Sequence, residues 1–281
     1  MRLLDYIKLK EKEAINNNLE DSAIKYLISN KYYESNQDFY NDYFEEINQE
    51  KINEFDNYLN KYLVDKLPPQ YILGYTYFYG YKILVNSDVL IPRKETEEVV
   101  ETALALIENN YKILDLCTGS GAIAIALKKE LDKKKMTNCY ITASDISKKA
   151  LEVSQKNVII NNVNIDLIES DLFDNINDTF DMIISNPPYI PVNSKDVEDI
   201  VLNNEPSLAL FSEDNGLYHY KKIIKEASKY LKNKKYLVFE IGHDQLERLT
   251  IYTKSIYPNA IIKGYKDLEG KDRILVIKLG E

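Results

Sequence analysis

The chain has 281 residues, 44% hydrophobic and 29% charged, with a net charge of −9, values that suit a soluble protein of two domains or of one domain with an appendage. The acidic balance argues against broad electrostatic binding of nucleic acid, which needs a Lys/Arg surface. No run of 18 apolar residues occurs and Met1-Arg2-Leu3-Leu4-Asp5 lacks a signal-peptide core, so no membrane partner and a cytoplasmic location are expected. The two cysteines, Cys117 and Cys139, are expected as reduced, packed thiols; two cannot make a zinc site unaided, and no metal is expected.

Residues 1–67 read as a helical bundle. Leu3, Leu4, Ile7, Ala14 and Ile15 form one apolar face at helical spacing. Asn16-Asn17-Asn18 breaks it, and Asp21 or Ser22 is placed to cap a second helix through Ile28. A third helix begins near Ser35 to Asp38, and a fourth carries Ile52, Phe55, Leu59, Leu63 and Val64. This region holds nine Lys/Arg against fourteen Asp/Glu, a net −5, and no catalytic constellation; recognition or scaffolding is its expected role. Residues 68–92 form a linker: Pro68-Pro69 ends the helices, and the aromatics, Gly74 and Gly80 from Tyr71 to Val89 predict a β-hairpin between domains.

Residues 93–281 form the expected catalytic domain. A helical period runs from Glu95 to Glu108. Strands and helices then alternate, the mark of a parallel sheet covered by helices. Seven strands are expected: Lys112–Leu116, Cys139–Ser144, Ile165–Glu169, Asp181–Ser185, Lys235–Ile241, Ile261–Tyr265 and Ile274–Leu279. The last two are close enough to pair as an antiparallel edge hairpin. Residues 191–216 have little periodicity and read as a long irregular loop, more often functional than decorative.

Chemistry gathers at the strand ends. After the first strand, Cys117, Thr118, Gly119, Ser120 and Gly121 form a glycine loop that lets a ligand approach the main chain. Alone it fits nicotinamide, flavin and nucleotide binders alike. Asp145 ends the second strand, placed to accept from both hydroxyls of an adenosine ribose or, alternatively, to cap the helix from Ser147. Asp171 and Leu172 follow the third strand, an acid for an adenine amino group and an apolar neighbour for its face. After the fourth comes Asn186-Pro187-Pro188-Tyr189. Two prolines remove backbone donors and keep the turn rigid, so the Asn186 side-chain oxygen, a backbone carbonyl and the Tyr189 ring form a fork of acceptors beside a stacking surface, suited to a planar NH2 group. Dehydrogenases share the first two features but not this tetrad; all four in strand order point to S-adenosylmethionine as cofactor, with S-adenosylhomocysteine as product.

At these residues the chain resembles the glutamine methyltransferases of peptide-chain release factors, the PrmC/HemK family. The likeness spans Pro69 to Ile277 and includes Gln70-Tyr71-Ile72-Leu73-Gly74, Ile91-Pro92-Arg93-Lys94-Glu95-Thr96-Glu97, the glycine loop, Asp145, Ser185 to Ile190, Glu205-Pro206 with Ala209-Leu210-Phe211, Phe239-Glu240-Ile241-Gly242 and Gly270-Lys271-Asp272-Arg273. It implies an α/β class I (Rossmann-like) S-adenosylmethionine-dependent methyltransferase with a seven-stranded, mostly parallel sheet and an N-terminal helical substrate-recognition domain. It also implies transfer of a methyl group to the glutamine amide nitrogen in a release factor's Gly-Gly-Gln motif, a step supporting translation termination.

On that reading Asn186 and the Pro187 carbonyl each accept one N–H, Tyr189 packs on the amide plane, and Arg93 and Glu97 position the motif or the substrate. Glu240 either supports the site or satisfies a helix terminus. His219 and His243 are expected in packing or at the surface. Partners are class I release factors, with no direct nucleic acid, and a monomer is expected. Three departures stand out: Cys117 where glycine is frequent, Leu172 where an aromatic is frequent, and Ser212-Glu213 where two glycines usually follow Phe211. The rival readings are a DNA adenine or cytosine amino-methyltransferase, a ribosomal-protein glutamine methyltransferase, and a binding module that retains the cofactor fold without turnover. The first would need an electropositive cleft and base extrusion.

Overall fold

A computed structural model describes residues 1–279, apart from the side chains of residues 233–235. The chain divides into two units, residues 1–75 with 198–204, and residues 76–197 with 205–281.

The first unit is helical. It contains α1 (Leu3–Asn16), α2 (Ser22–Tyr32), α3 (Asn36–Asn41), α4 (Gln49–Leu63) and α5 (Pro69–Leu73). Leu3, Ile7, Ile24, Leu27, Phe39, Phe55 and Leu59 close its core, as the helical spacing predicts, whereas Ile15 and Val64, expected on the same stripes, lie near helix ends and are exposed. Ser35 caps α3 by accepting from the Asp38 N–H at 3.2 Å. Neither Asp21 nor Ser22 caps α2: Asp21 is already helical and makes no cap bond, and the Ser22 hydroxyl donates to Glu20 instead. The diproline does not end the helices. Pro69 opens α5, because its fixed φ suits a first helical turn whose N–H has no partner to lose; Gly74, at φ +79°, then stops it.

The expected hairpin follows, shorter than the range read from the sequence: β1 (Tyr75–Phe78) and β2 (Tyr81–Leu84). Its two-residue turn, Tyr79-Gly80, has both residues at positive φ, the conformation whose twist matches paired strands. Glu97 holds this turn by accepting from the Tyr79 N–H at 2.6 Å.

The second unit continues with α6 (Thr96–Leu104), β3 (Lys112–Leu116), α7 (Ala122–Lys133), β4 (Tyr140–Asp145), α8 (Lys148–Ile160), β5 (Asp166–Glu169), β6 (Phe180–Ser185) and β7 (Ile190–Pro191). The stretch expected as an irregular loop contains short elements instead. The chain lays α9 (Asp199–Asn204) into the helical unit, where Ile200 packs on that core, then forms α10 (Ser207–Leu210), β8 (Phe211–Ser212) and the turn α11 (Glu213–Gly216). Each is too brief to show a period. Finally come α12 (Tyr218–Tyr230), β9 (Leu231–Glu240), α13 (Leu246–Ile256), β10 (Ile261–Lys266) and β11 (Asp272–Lys278).

Seven strands make one sheet in the order β10-β11-β9-β6-β3-β4-β5. The five from β9 to β5 run parallel; β11 is antiparallel to both neighbours, and β10 forms the edge. The last two strands therefore pair as expected, with β11 inserted inside the sheet. β6 is buried at every position, as a central parallel strand covered on both faces must be. The chain runs outward from β3 through β4 to β5, then returns to the other side of β3 at β6. That reversal opens a crevice at the carboxyl ends of β3 and β6, where open α/β sheets bind ligands. Among the described residues no helix is long and apolar enough to cross a membrane.

Candidate active site

A cleft opens at this switch point. The glycine loop, the acids ending β4 and β5, and the turn after β6 all reach it: its walls include Cys117, Gly119, Asp145, Asp171, Leu172 and Asn186. Pro188 and His219 also face it. Thr118, Ser120, Gly121, Pro187, Tyr189, Arg93 and Glu97 are not among the wall residues.

Behind the loop, Thr118 donates its hydroxyl to Asp115 at 2.6 Å and its N–H to the Ser144 carbonyl at 2.9 Å. Gly121 starts α7 at φ +81°, and a β-carbon there would collide with the Ser154 hydroxyl. Ser120 is buried, its carbonyl accepting from Asn157 at 2.9 Å. Asn157 on α8 also exchanges two hydrogen bonds with the backbone of Leu84, so one buried amide ties the glycine loop to the hairpin. No feature of the sequence around Asn157 announces this; its partners are 37 and 73 residues away.

Cys117 adopts φ +59°, which explains why glycine is frequent there: the left-handed region is costly for a residue with a β-carbon. Its thiol is free, and burial, reinforced by the Asp145 carboxylate, raises its pKa. That keeps it protonated and unreactive. Leu172 is likewise left-handed at φ +49°, and its carbonyl accepts from the Ser170 hydroxyl at 2.9 Å. It joins the core packed under the cleft.

Asp145 is not the cap of α8. Ser147 fills that role, accepting from the Ala150 N–H at 3.2 Å. The Asp145 oxygens instead accept one backbone N–H each, Oδ2 from Gly119 and Oδ1 from Ser147, both at 2.9 Å. A carboxylate offers about four acceptor positions, so acceptor capacity remains beyond these two N–H bonds. Burial raises its pKa while these N–H bonds oppose the rise.

At the end of β6, Ser185 donates to the Leu116 carbonyl at 2.7 Å and locks the following turn onto β3. The Asn186 Nδ2 donates to Thr96 Oγ1 at 3.4 Å. Thr96 in turn donates to Glu240 Oε2 at 2.5 Å, and the Tyr189 hydroxyl donates to Glu240 Oε1 at 3.3 Å. Glu240 therefore supports the site, one of the two roles its position at the end of an apolar strand left open. The Tyr189 carbonyl accepts from Gln245 at 3.0 Å. Arg93 pairs with buried Glu205 at 2.6 Å, and Glu205 also accepts from the Ile91 N–H at 3.2 Å. This links the chain after Leu90 to the chain before Pro206, both of which line the cleft.

From the sequence, His219 is expected in packing or at the surface, and Gln245 is not singled out. His219 lies inside α12 and faces the cleft, its Nδ1 2.9 Å from the Ser212 hydroxyl; burial lowers its pKa, so it is neutral near pH 7. Its only sequence signal is rarity. Gln245 carries none. Ser212 is extended at φ −138°, so this position needs no glycine. The left-handed residues come just after it, at Asp214, Asn215 and Gly216. Among the described residues no cluster of His, Cys, Asp or Glu is arranged to hold a metal ion.

Fold and cleft together define a class I methyltransferase. The model of the methyltransferase small domain matches residues 98–204. Solved structures share the fold: a methyltransferase from Pyrococcus furiosus superposes with a TM-score of 0.53 at 16% identity, covering 83% of this chain and 98% of that one. The hMettl16 catalytic domain gives 0.55 at 18%, covering 72% and 77%. Curated sequences carry the relation further. The release factor glutamine methyltransferase of Lactococcus lactis is 41% identical over 78% of this chain and 80% of its own length, and that of Streptococcus pneumoniae is 35% identical over the full length of both. The chain belongs to the release factor glutamine methyltransferase family.

Proposed function

We propose that this enzyme transfers the methyl group of S-adenosylmethionine to the side-chain amide nitrogen of the glutamine in the Gly-Gly-Gln motif of class I release factors. The observation that carries the reading is the placement of Asn186 in the wall of the cleft it shares with Asp145 and Gly119. Its amide nitrogen is directed to Thr96, which leaves the Oδ1 acceptor for a substrate N–H.

The donor set fits the cofactor. Asp145 would hold the ribose hydroxyls, Asp171 the adenine amino group and Leu172 its face, with Gly119 close to the main chain of the loop. When bound, S-adenosylmethionine supplies an electrophilic methyl group. An amide nitrogen is a poor nucleophile because its lone pair is delocalised into the carbonyl. Asn186 Oδ1 and the Pro187 carbonyl each accept one of its hydrogens and orient the nitrogen, while Tyr189 packs beside the amide plane. Proximity and preorganised dipoles then lower the barrier, and the proton leaves after transfer without a strong base. The acidic helical unit recognises the protein substrate, and the enzyme acts as a monomer in the cytoplasm.

The test uses labelled S-adenosylmethionine with an unmethylated release factor, the same factor with its motif glutamine replaced by alanine, and unmethylated DNA. Label on the intact factor alone is expected. Label on the DNA, or on the alanine factor, overturns the substrate assignment. In the same assay Asn186→Ala is expected to lose 10²- to 10³-fold in kcat, the cost of removing one preorganised transition-state contact; an unchanged rate sinks the role given to Asn186.

A further inference from the structure

We infer that Thr96 and Glu240 act as a positioning pair whose hydrogen-bond direction decides which end of the Asn186 amide faces the cleft. The inference rests on the reading of Asn186 given above. A carboxamide is nearly symmetric in shape, with one end accepting and the other donating. Only the oxygen end can receive a substrate N–H; the flipped amide would oppose donor to donor. Sterics alone do not choose between the two.

The polarity of the chain of contacts does choose. An ionised carboxylate only accepts. Glu240 is buried at 1% exposure and takes the Thr96 hydroxyl hydrogen on Oε2 at 2.5 Å. A hydroxyl has a single hydrogen, so Thr96 Oγ1 is left with lone pairs toward Asn186. At 3.4 Å that oxygen can be satisfied by Nδ2 and is repelled by Oδ1. Thr96 is itself 4% exposed, so it is largely shielded from solvent. The other carboxyl oxygen takes the Tyr189 hydroxyl at 3.3 Å, so one buried side chain orients both Asn186 and Tyr189.

The surroundings hold that side chain in place. The Glu240 carbonyl accepts from the Tyr220 hydroxyl on α12 at 2.7 Å, and β11 pairs Ile274 with Glu240. Burial raises the Glu240 pKa, and the Thr96 hydrogen bond, the Arg273 charge and the Tyr189 hydrogen bond oppose the rise. Neither Thr96 nor Glu240 lines the cleft; they work through Asn186.

The experiment compares Thr96→Val, which keeps the shape and removes the hydroxyl, with Thr96→Ser, which keeps the hydroxyl and removes a methyl group. Methyl transfer to a release factor, calorimetric titration with S-adenosylhomocysteine, and the 1H–15N side-chain amide resonances of Asn186 are measured on each. Thr96→Val is expected to lower kcat at least tenfold with KM and cofactor affinity within threefold, and to shift the Asn186 amide resonances. Thr96→Ser is expected to stay within threefold of wild type and to keep those resonances. Wild-type kcat in Thr96→Val, or equal losses in both variants, overturns the pair's role and leaves Thr96 as packing. Should Thr96→Val not fold, Thr96→Ser with displaced Asn186 resonances and a tenfold loss of kcat overturns it by itself, and retention of both supports it. If wild type transfers nothing to the factor, the functional reading fails on its own, and the resonances still decide whether Thr96 sets the amide.

Discussion

Gly216 lies directly against the carbonyl of Tyr189: a β-carbon placed on it would fall well inside van der Waals contact with that oxygen and near the Gln245 amide. Its φ is +83°, the third left-handed residue in succession after Asp214 and Asn215. Gln245 spans both, donating to the Tyr189 carbonyl at 3.0 Å and the Gly216 carbonyl at 3.5 Å. Gly216→Ala therefore meets backbone strain of about 1–3 kcal/mol and must push the tetrad aside. A fall in kcat of tenfold or more is expected, with S-adenosylhomocysteine affinity little changed because Gly216 does not line the cleft. Steady-state kinetics beside a calorimetric titration separates the two effects.

Asp145 is expected to supply affinity and not rate. Asp145→Asn keeps the shape but turns one oxygen into a donor, facing the N–H of Gly119 or Ser147. Hydrogen bonds to a charged group are worth about 1.5–3 kcal/mol. Cofactor affinity should fall roughly 10- to 100-fold, while kcat at saturating cofactor stays near wild type. Equilibrium binding of S-adenosylhomocysteine measures the first, and initial rates at high cofactor the second.

Arg93 is paired with a carboxylate that is 1% exposed, while its own side chain is 37% exposed. Removing one partner of a fully buried pair costs about 3–5 kcal/mol; solvent at the arginine end lowers the expectation for Arg93→Ala to about 1–3 kcal/mol. Glu205→Gln leaves no unpaired buried charge, although its NH2 replaces one of the two acceptors that face Arg93 and the Ile91 N–H, and it should cost less. Urea unfolding of the two variants tests the order. Cofactor affinity should follow it, since the segments on either side of this pair form walls of the cleft.

Asp115, at 0% exposure, has one oxygen bonded to Thr118 and the other without a hydrogen-bond partner. Burial pushes its pKa up to about 7, with Asp145 adding to the rise and Thr118 opposing it. An unfolded aspartate titrates near 3.9. Between these values the folded state binds the extra proton, so this group's contribution is fully present below about pH 4 and is lost as pH climbs through about 7. Asp115→Asn removes the dependence. Across that window the variant's stability relative to wild type should improve with pH, by at most about 1.4 kcal/mol per unit. Urea melts at pH 4, 5.5, 7 and 8 would show a flat difference if Asp115 stayed ionised.

The sheet was legible because each strand is a short apolar run punctuated by turn residues, and β3 and β6 match their expected bounds to within a residue. The cleft was legible wherever its walls sit on a local motif: Cys117 and Asn186 each follow a strand, and Asp145 ends one. What the sequence could not show is pairing across distance. Asn157 and Leu84 are 73 residues apart, Thr96 and Glu240 are 144 apart, and no periodicity encodes such partners. The short elements between Pro191 and Gly216 were invisible for another reason: two to six residues are held by tertiary contacts and not by propensity. Pro69 misled because proline both ends helices and begins them.

The insertion of β11 between β10 and β9 has a consequence for biosynthesis. A nascent chain that has emerged through β10 still has β9 with an open flank, and Glu240 at its end lacks the Ile274 backbone beside it. The sheet cannot be completed in chain order: β11 has to slot between two strands that precede it before the buried carboxyl is walled in. The residues that wall the cleft all lie earlier in the chain, so the strand that closes the sheet comes after every one of them.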